Sequence, residues 1–432
     1  MENNNLYQLD GKVNILKALP FGLQHVLAMF VSNITPIIIL AGVIGLDSDL
    51  SAILIQNCMI IAGIGTIVQL FFASRLPIVM GISFTFLSLS IGIASTMGMN
   101  VLIGAVIIGG IFEGVLGLFA KYWLKIISPV VAATVVIGIG FSLLPIGANS
   151  FAGGQGAADF GAANNWIVGT ITLLVCLVFQ VFAKGTWRSL AVLIGLVVGY
   201  IVSLCMGMVD FTSFSQHASG FPVKILPFKP EFNIGAILSI IAIYCVSATE
   251  TIGDASALAS GALGRDANKR ELSGAIACDG FVSSLSGIFG CIPITSFSQN
   301  VGLAAMTKVV NRIAIATGAV VMIVAGFIPP VGKALTTIPQ AVLGGCTIMM
   351  FGSILFAGMK MLGNCGFSQR NMVIVSLALS IGLGFTAASD MFNIFPEIIR
   401  TIFAQNCVAV VFIMAVVLNL ILPKEEKEEA AR

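Results

Sequence analysis

Two carboxylic acids lie four residues apart in the mostly apolar stretch SATETIGDASAL, at Glu250 and Asp254. Residues at this spacing share one face of an α-helix, so both side chains are expected to meet the same surroundings. Two like charges this close in a medium of low dielectric constant repel each other, so at least one acid is expected to bind a proton. The spacing therefore predicts proton-linked chemistry; the alternative is a pair of protonated acids hydrogen-bonded to neighbouring helices.

A second polar stretch begins at Pro293, PITSFSQNVGLAAMTKVVNR, and carries the amides of Gln299 and Asn300 between apolar segments. A primary amide offers a donor and an acceptor on one plane, which complements a lactam, where N–H and C=O groups also lie side by side. A carboxylate such as Glu250 accepts hydrogen bonds from ring N–H groups. Together these groups suit a flat oxo-heterocycle better than a sugar, a lipid or an inorganic ion.

Three further ionisable groups fall in apolar segments. Asp279, in the sequence CDGF, is expected either to join the site or to make a packing hydrogen bond or a cap. His25 is interpreted either as part of a proton-linked network or as a structural group. Glu113 lies near Gly110 and Gly114, whose spacing is typical of close helix packing, and is interpreted as a buried structural acid. Each group needs compensation, because a charge near the membrane centre costs roughly 2.5–3.5 kcal/mol for Asp.

The composition indicates a polytopic membrane protein. Of 432 residues, 58% are hydrophobic and only 9% are charged, against about 25% charged in soluble domains. The net charge of +2 gives no indication of a nucleic-acid partner, and the nine cysteines, which form no CxxC pair, are interpreted as small buried hydrophobic residues. The residues up to about Ala18 lack a short apolar core followed by a small-residue cleavage site, so no removed signal peptide is expected. Without a Walker or HExxH motif, ATP hydrolysis, a metal site and a membrane-embedded enzyme are not expected either.

Apolar stretches of about 20 residues, the length that crosses a bilayer, predict fourteen spans. With fourteen spans both termini lie on one side, and 17 of the 21 basic residues fall on that side, which predicts cytoplasmic termini by the positive-inside rule. The predicted spans start near Pro20, Leu50, Pro77, Val101, Leu124, Asn165, Trp187, Asn233, Leu272, Pro293, Ile313, Ile338, Asn371 and Phe395.

Two halves of seven spans each must insert in opposite orientations if they are copies, which predicts the inverted repeat typical of secondary transporters. The third and tenth spans begin in a comparable way. PIVMGISF places Pro77 six residues before Ser83, and PITSFSQN places Pro293 six residues before Gln299. Segments interrupted by proline and polar residues at matching places in the two halves indicate a binding site near mid-membrane.

Several motifs resemble the nucleobase–ascorbate transporter family. QNVGLAAMTKVVNR, from Gln299, is similar to the family signature of Gln-Asn-x-Gly followed by a Thr and a basic residue, and ATETIGD, from Ala248, is similar to the motif of its eighth span. GISF around Ser83, LQH in the first span and DG at Asp279 also match. The resemblance covers essentially the whole chain, and the SFSQN run is similar to the bacterial xanthine and uric acid permeases.

The resemblance implies an all-α polytopic fold of 14 transmembrane segments in a 7+7 inverted repeat, with short β-strands within spans 3 and 10. It implies a core domain that binds the substrate, formed by residues 1–127 and 233–335 (spans 1–4 and 8–11). Residues 128–232 and 336–432 (spans 5–7 and 12–14) are implied to form a gate domain. Family members are typically homodimers in which the core slides against the gate, which implies an elevator-like mechanism.

The resemblance also implies roles for single residues. Glu250 is the implied main substrate-binding carboxylate and Gln299 its amide partner, with main-chain groups near Phe84 and Ser298 completing the clamp. The residues implied to bind substrate are Ser83, Phe84, Glu250, Ser298, Gln299 and Asn300, and those implied to support the site or couple protons are His25, Asp254 and Asp279.

These inferences predict an inner-membrane symporter that imports xanthine, uric acid or both, with a proton as the coupling ion and sodium as the alternative. The choice of purine stays open, because Ser83 lies where xanthine-selective members often have asparagine. The implied partners are a purine, membrane lipid and a second copy of the chain, with no cofactor. One alternative is a permease for uracil or another nucleobase, although uracil-specific members carry an acid in place of Gln299. Another is an anion transporter of the same fold group, which would need a net positive site.

Overall fold

A computed structural model describes residues 2–123, 128–209, 223–396 and 406–423. These residues are mostly helical and include two short β-strands. Leu124, where the fifth predicted span starts, residues 397–405 of the fourteenth, and the charged tail after Pro423 lie outside the described residues.

The helices are labelled in chain order, and most are apolar along their whole length. Their surfaces are therefore buried against one another or face lipid. The strands are β1 (Met80–Ile82) and β2 (Ile294–Ser296), and a 3-10 helix, Phe84–Phe86, follows β1. The α-helices are α1 (Ile15–Val43), α2 (Ser48–Phe71), α3 (Leu87–Met97), α4 (Met99–Leu118), α5 (Ala120–Trp123), α6 (Pro129–Phe151), α7 (Ala163–Phe182), α8 (Thr186–Ser189), α9 (Ala191–Cys205), α10 (Ile234–Leu263), α11 (Lys269–Ile288), α12 (Ser298–Thr307), α13 (Arg312–Gly326), α14 (Pro329–Thr336), α15 (Gln340–Cys365), α16 (Gln369–Ala387) and α17 (Cys407–Ile421).

Eight helices within the described residues are long and apolar enough to cross a membrane, namely α1, α2, α4, α6, α7, α10, α15 and α16. A ninth crossing results if α13 and α14, which are bent by 81° at their junction, form one span. Three shorter apolar stretches are Phe84–Met97, α9 and α17. The chain is therefore a polytopic, mostly helical membrane protein.

Polar side chains at the ends of the apolar runs determine where several helices begin. The first N–H groups of a helix lack a partner within the helix, and a side-chain oxygen just before it can accept from them. Asp47, Asn233 and Asn311 each accept a hydrogen bond from the N–H three residues later, at the starts of α2, α10 and α13. Asn268 and Glu271 form a reciprocal capping box at the start of α11.

The N-terminal segment is fixed to the start of α13 by Asn311, whose side chain is fully buried. The Asn311 amide nitrogen donates to the carbonyl oxygens of Asn5, Gln8 and Gly11 at 3.0, 3.1 and 2.8 Å. The neighbouring Arg312 forms an ion pair with Asp10. Because Asn311 also caps α13, one residue ties the N-terminal turn to the end of the signature stretch that begins at Gln299.

Both segments predicted to be interrupted form a short extended strand followed by a helix. Strands β1 and β2 are paired antiparallel, and both are buried. Backbone bonds from Ser83 to Pro293 (3.0 Å) and from Phe297 to Val79 (2.9 Å) extend the pairing at its ends. The three facing residue pairs are Met80 with Ser296, Gly81 with Thr295, and Ile82 with Ile294.

The outward-facing N–H groups of this strand pair are satisfied by side chains of the surrounding helices. A buried backbone donor without a partner is costly, and extended backbone at membrane depth needs such partners. Helices α1, α2 and α11 supply them. The donor–acceptor pairs are Met80 with Thr66 (2.9 Å), Ile82 with Asn33 (2.8 Å), Ile294 with Ser283 (3.1 Å) and Ser296 with Asp279 (2.9 Å).

The helices pack in two groups, and the strand pair is packed within the first of them. In one group, α1 packs against α2 and α13, and α4 packs against α10 and α11. In the other, α6 packs against α15, α16 and α17, and α7 packs against α9 and α15. Helices α4 and α11 cross closely at glycines: a Cβ atom added to Gly280 would lie 2.1 Å from the backbone nitrogen of Gly114. The glycine spacing around Glu113 therefore serves close packing.

Candidate substrate-binding site

A cavity of about 480 Å³ lies where the two helix groups meet. The end of β1, strand β2, the start of α12 and the middle of α10 form one wall, and α6 and α15 form the opposite wall, with Phe412 of α17. The polar residues of the lining are Ser83, Thr85, Thr249, Glu250, Asp254, Thr295, Ser296, Ser298, Gln299 and Ser353. Within the part of the chain that the structure describes, the lining includes two carboxylic acids and no lysine, arginine or histidine.

Glu250 lies in the middle of α10 and reaches the cavity half-buried. Its Oε2 atom accepts a hydrogen bond from the hydroxyl of Thr85 at 2.8 Å. Thr85 lies directly after β1, so the bond joins the carboxylate to the broken third segment. Beside it, Gly253 has open space where a Cβ atom would be, which leaves room for a ligand against α10.

Gln299 is the second residue of α12 and is exposed to the cavity. Its Oε1 atom accepts a hydrogen bond from the hydroxyl of Ser32 in α1 at 3.0 Å. An amide oxygen has two lone pairs, so it can accept a further bond, and the Nε2 group remains a donor for a ligand. The bond with Ser32 therefore fixes the plane of the amide that the sequence predicted as a recognition group.

Asp254 lines the same cavity one helical turn from Glu250, as the four-residue spacing predicted. Its Oδ2 atom accepts a hydrogen bond from the hydroxyl of Ser298 at 2.8 Å. The two acids therefore have different hydroxyl partners, one from each broken segment. The segments that follow β1 and β2 are therefore both hydrogen-bonded to the same face of α10.

Asp279 is fully buried and does not belong to the cavity lining. Its Oδ2 atom accepts from the hydroxyl of Thr251 at 2.6 Å and from the N–H of Ser296 at 2.9 Å, and its Oδ1 atom accepts from the Ser296 hydroxyl at 3.1 Å. The carboxyl group thus ties β2 to α10 and α11. This geometry corresponds to the packing interpretation, in which Asp279 supports the site from behind.

Asn300 and His25 are buried next to each other, away from the cavity lining. The amide nitrogen of Asn300 donates to the backbone carbonyl of His25 at 3.0 Å and lies 3.3 Å from its ring nitrogen Nδ1. The structure therefore does not bring Asn300 to the cavity as the sequence predicted; its side chain joins α12 to α1. His25 is buried and contacts Asn300, the residue that follows Gln299.

The remaining predicted binding residues, Ser83, Phe84 and Ser298, all line the cavity. The ring of Phe84 packs edge-to-face against Phe351 of α15, with ring centroids 5.2 Å apart. This contact spans the two helix groups. It gives the cavity an aromatic surface on one side.

Sequence reasoning missed the hydroxyl and amide groups that position the site. Thr85 and Ser32 bond directly to the predicted recognition groups, while Thr66 and Asn33 hold β1. In the sequence, only their occurrence as polar residues within apolar segments distinguished these four residues. Among the described residues, no group of three or more histidine, cysteine or acidic side chains could hold a metal ion.

Glu113 is fully buried in α4, and neither of its carboxyl oxygens has a hydrogen-bond partner among the described residues. It does not line the cavity. Its position beside the close crossing of α4 and α11 corresponds to the predicted structural acid.

Broken helices that place acids, amides and hydroxyl groups around a cavity within a polytopic helical fold define a membrane transport protein. The sequence matches the Permease family over residues 16–391. The xanthine permease of Bacillus subtilis (strain 168) is 33% identical over 94% of this chain and 93% of its own length. The uric acid permease PucK of the same organism is 34% identical over 88% and 90%. The chain belongs to this permease family, the nucleobase–ascorbate transporters, and is therefore a transporter and not an enzyme.

The fold is also similar to that of a solved structure. The transmembrane domain of the cyanobacterial bicarbonate transporter BicA aligns with a TM-score of 0.64, covering 91% of this chain and 98% of that domain at 16% identity. At this identity the likeness concerns the fold alone.

Proposed function

We propose that this protein imports an oxopurine, xanthine or uric acid, across the cell membrane by proton symport. The observation that carries the proposal is the convergence of Glu250 and Gln299 on one cavity from two different helices. The names of the relatives, a xanthine permease and a uric acid permease, support the substrate class.

The side chains of the cavity complement both the hydrogen-bonding edge and the flat face of an oxopurine ring. The carboxylate of Glu250 accepts from ring N–H groups, and the Nε2 group of Gln299 donates to a ring carbonyl. Phe84 supplies an aromatic surface, and aromatic rings favour stacked or edge-to-face contacts with other flat rings. Among the described residues the lining includes no basic side chain, which argues against a small inorganic anion such as bicarbonate, despite the similar fold of a bicarbonate transporter. Gln299 in place of an acid argues against uracil.

Proton coupling follows from the same groups. Two carboxylates without a cation in the lining are costly to enclose, because an unpaired charge in a low-dielectric site carries a large desolvation penalty. Protonation of the Glu250 and Asp254 pair, together with purine binding, lowers this penalty and allows the loaded site to move. Sodium coupling is the alternative.

The transport movement is an elevator-like sliding of the core domain, residues 1–127 and 233–335, against the gate domain, residues 128–232 and 336–432. The cavity lining supports this division, since β1, α10, β2 and α12 belong to the first set and α6, α15 and α17 to the second. The proposal includes fourteen spans in a 7+7 inverted repeat, cytoplasmic termini, an inner-membrane location and a homodimer. With that topology the cavity is lined by the cytoplasmic halves of α6 and α15, which corresponds to an inward-facing state.

Uptake of radiolabelled xanthine into proteoliposomes tests the proposal. Purine-dependent uptake is expected to be driven by an inward proton gradient and abolished by a protonophore. Unlabelled urate is expected to compete more strongly than uracil, with hypoxanthine and guanine as further competitors. Uptake that requires sodium and persists without a proton gradient would make sodium the coupling ion. Transport of bicarbonate but not of xanthine would contradict the proposed function.

A further inference from the structure

A second cavity of about 470 Å³ lies at the other end of the helices that line the candidate site. It is formed by the end of α1, the end of α6 with the glycine-rich loop that follows, Ile91 of α3 and the first residue of α15, Gln340. Nothing in the proposed mechanism uses this cavity.

The two cavities lie in line along the same two helices. In α6 the candidate site contacts residues up to Val136, and the second cavity begins at Ile146. In α15 the second cavity contacts Gln340, and the candidate site begins at Met350. Each pair is ten residues apart, which corresponds to about 15 Å along a helix that rises about 1.5 Å per residue. Both helices therefore give the same separation between the cavities.

Side-chain contacts join the two helix groups beside the candidate site. Phe84 and Phe351 pack edge-to-face at 5.2 Å, and the Ser32 hydroxyl lies 3.7 Å from the sulfur of Met350. Each of these contacts joins a residue of one helix group to a residue of the other. Both cavities are lined by residues of both helix groups, so the second cavity lies along the same boundary between the groups as the candidate site.

The second cavity has a mostly apolar wall with four hydrogen-bonding side chains, those of Asn149, Ser150, Gln155 and Gln340. Among the described residues, none that lines it is acidic or basic. Branched aliphatic side chains such as Ile39 and Ile146 form the rest of the wall. Three carboxamides offer paired donors and acceptors, which suit the lactam edges of a neutral oxo-heterocycle and give no preference for an ion.

Gln340 is positioned by two glycines rather than by a close-packed side chain. A Cβ atom on Gly42 would lie 2.7 Å from its Nε2 atom, and one on Gly154 would lie 3.2 Å from its Cγ atom. The Nε2 group makes a long hydrogen bond of 3.4 Å to the carbonyl oxygen of Ile38. The amide is therefore held at the cavity wall by a weak contact that a ligand can replace.

We infer that this cavity is a second binding site for the transported oxopurine, which holds the ring by its lactam groups before it reaches Glu250 and Gln299. The inference rests on the proposed function, and with the proposed topology the second site faces the outside. Because it has no carboxylate, it binds the purine without taking up a proton. The second cavity therefore captures the purine, and proton uptake takes place at the candidate site.

Equilibrium binding of radiolabelled xanthine to right-side-out membrane vesicles tests this inference. The Glu250→Gln variant, in which the first site is disabled, is expected to retain weak, saturable binding. Adding Gln340→Leu to this variant is expected to abolish that binding, and Gln155→Leu, at an exposed loop position, is expected to weaken it severalfold. Adding Gln369→Leu, the same change at an exposed residue that lines neither cavity, is the matched control and is expected to leave it unchanged.

Uptake kinetics give an independent readout. Gln340→Leu alone is expected to raise the KM for uptake roughly tenfold, the effect of about 1.4 kcal/mol, while leaving xanthine binding in inside-out vesicles unchanged. Glu250→Gln vesicles without saturable binding, or a Gln340→Leu protein with unchanged uptake, would overturn the inference. Failure of the unaltered protein to transport any purine would instead contradict the proposed function from which the inference starts.

Discussion

The hydroxyl of Ser32 donates a hydrogen bond of 3.0 Å to the carboxamide oxygen of Gln299, across 267 residues of sequence. This bond joins the first helix to the start of α12. It holds the oxygen of the Gln299 amide, a residue that lines the cavity. The candidate site is therefore a property of two distant segments and of the packing that brings them together.

Replacing Ser32 with alanine removes that bond without touching the amide itself. A neutral hydrogen bond contributes about 1 kcal/mol, so the KM for purine uptake is expected to rise about fivefold with little change in protein abundance. Ser353→Ala is the control, because Ser353 lines the same cavity but bonds only to the carbonyl of Met349 in its own helix, at 2.8 Å. An equal effect of both substitutions on KM would contradict the role given to Ser32.

Glu250→Gln is expected to reduce uptake at least about tenfold, because bonds to a charged group contribute about 1.5–3 kcal/mol. Gln299→Ala is expected to reduce uptake to a similar degree, because it removes the recognition amide and leaves the buried Ser32 hydroxyl without that partner. Both variants are expected to reach the membrane in normal amounts, which an immunoblot of the membrane fraction checks. Transport like that of the unaltered protein in either variant would refute the site assignment.

Thr85 is expected to affect purine binding indirectly, by positioning the carboxylate of Glu250. Thr85→Val removes the hydroxyl that donates to the carboxylate at 2.8 Å while keeping a similar shape, and is expected to weaken purine binding about tenfold. Thr85→Ser restores the donor and is expected to recover most of the affinity. Binding measured by isothermal titration on purified protein compares the two. If valine and serine have the same effect, the hydroxyl has no part in binding.

Substitution of Asp279 is expected to lower the stability of the protein more than its affinity for the purine. Asp279→Asn replaces an acceptor with an NH₂ donor in a buried network of Thr251 and Ser296, and leaving a buried donor unmatched costs about 1–3 kcal/mol. The melting temperature in detergent is expected to fall by several degrees. Asp266→Asn, an exposed change between α10 and α11, is the control and is expected to have no effect. Loss of purine affinity at an unchanged melting temperature would assign Asp279 to the substrate instead.

Asn311 is expected to hold the N-terminal segment. Asn311→Ala removes three bonds to the carbonyls of Asn5, Gln8 and Gly11 and the cap of α13, and loss of a cap alone costs about 1 kcal/mol. Limited proteolysis is expected to cut near the N-terminus much faster than in the unaltered protein. Asn364→Ala, at an exposed position near the end of α15, is the matched control. Equal cleavage rates in the two variants would show that Asn311 does not hold this segment.

Much of the architecture was available from local patterns in the sequence. Hydropathy predicted a polytopic helical membrane protein because apolar segments of sufficient length have few other stable environments. The matching prolines at Pro77 and Pro293 marked the two interrupted segments, which the structure shows as β1 and β2. The four-residue spacing placed Glu250 and Asp254 on one helix face, because helical periodicity is a local property.

The tertiary structure alone decided which groups meet. No local pattern specifies that Thr85 bonds to Glu250 and Ser298 to Asp254, or that Asn300, adjacent to Gln299 in sequence, turns away from the cavity towards His25. Consecutive residues of a helix point about 100° apart, so neighbours in sequence meet different surroundings once the helix is packed.

The second cavity likewise could not be predicted from local patterns in the sequence. Its lining combines the end of α1, the loop after α6 and Gln340, which are far apart in the chain and carry no shared motif. The sequence by itself determined that the chain is a polytopic helical membrane protein and where two of its segments break, because those depend on hydrophobicity and on backbone chemistry within a few residues. The tertiary structure decided which side chains share a cavity, because that depends on how helices hundreds of residues apart pack against one another.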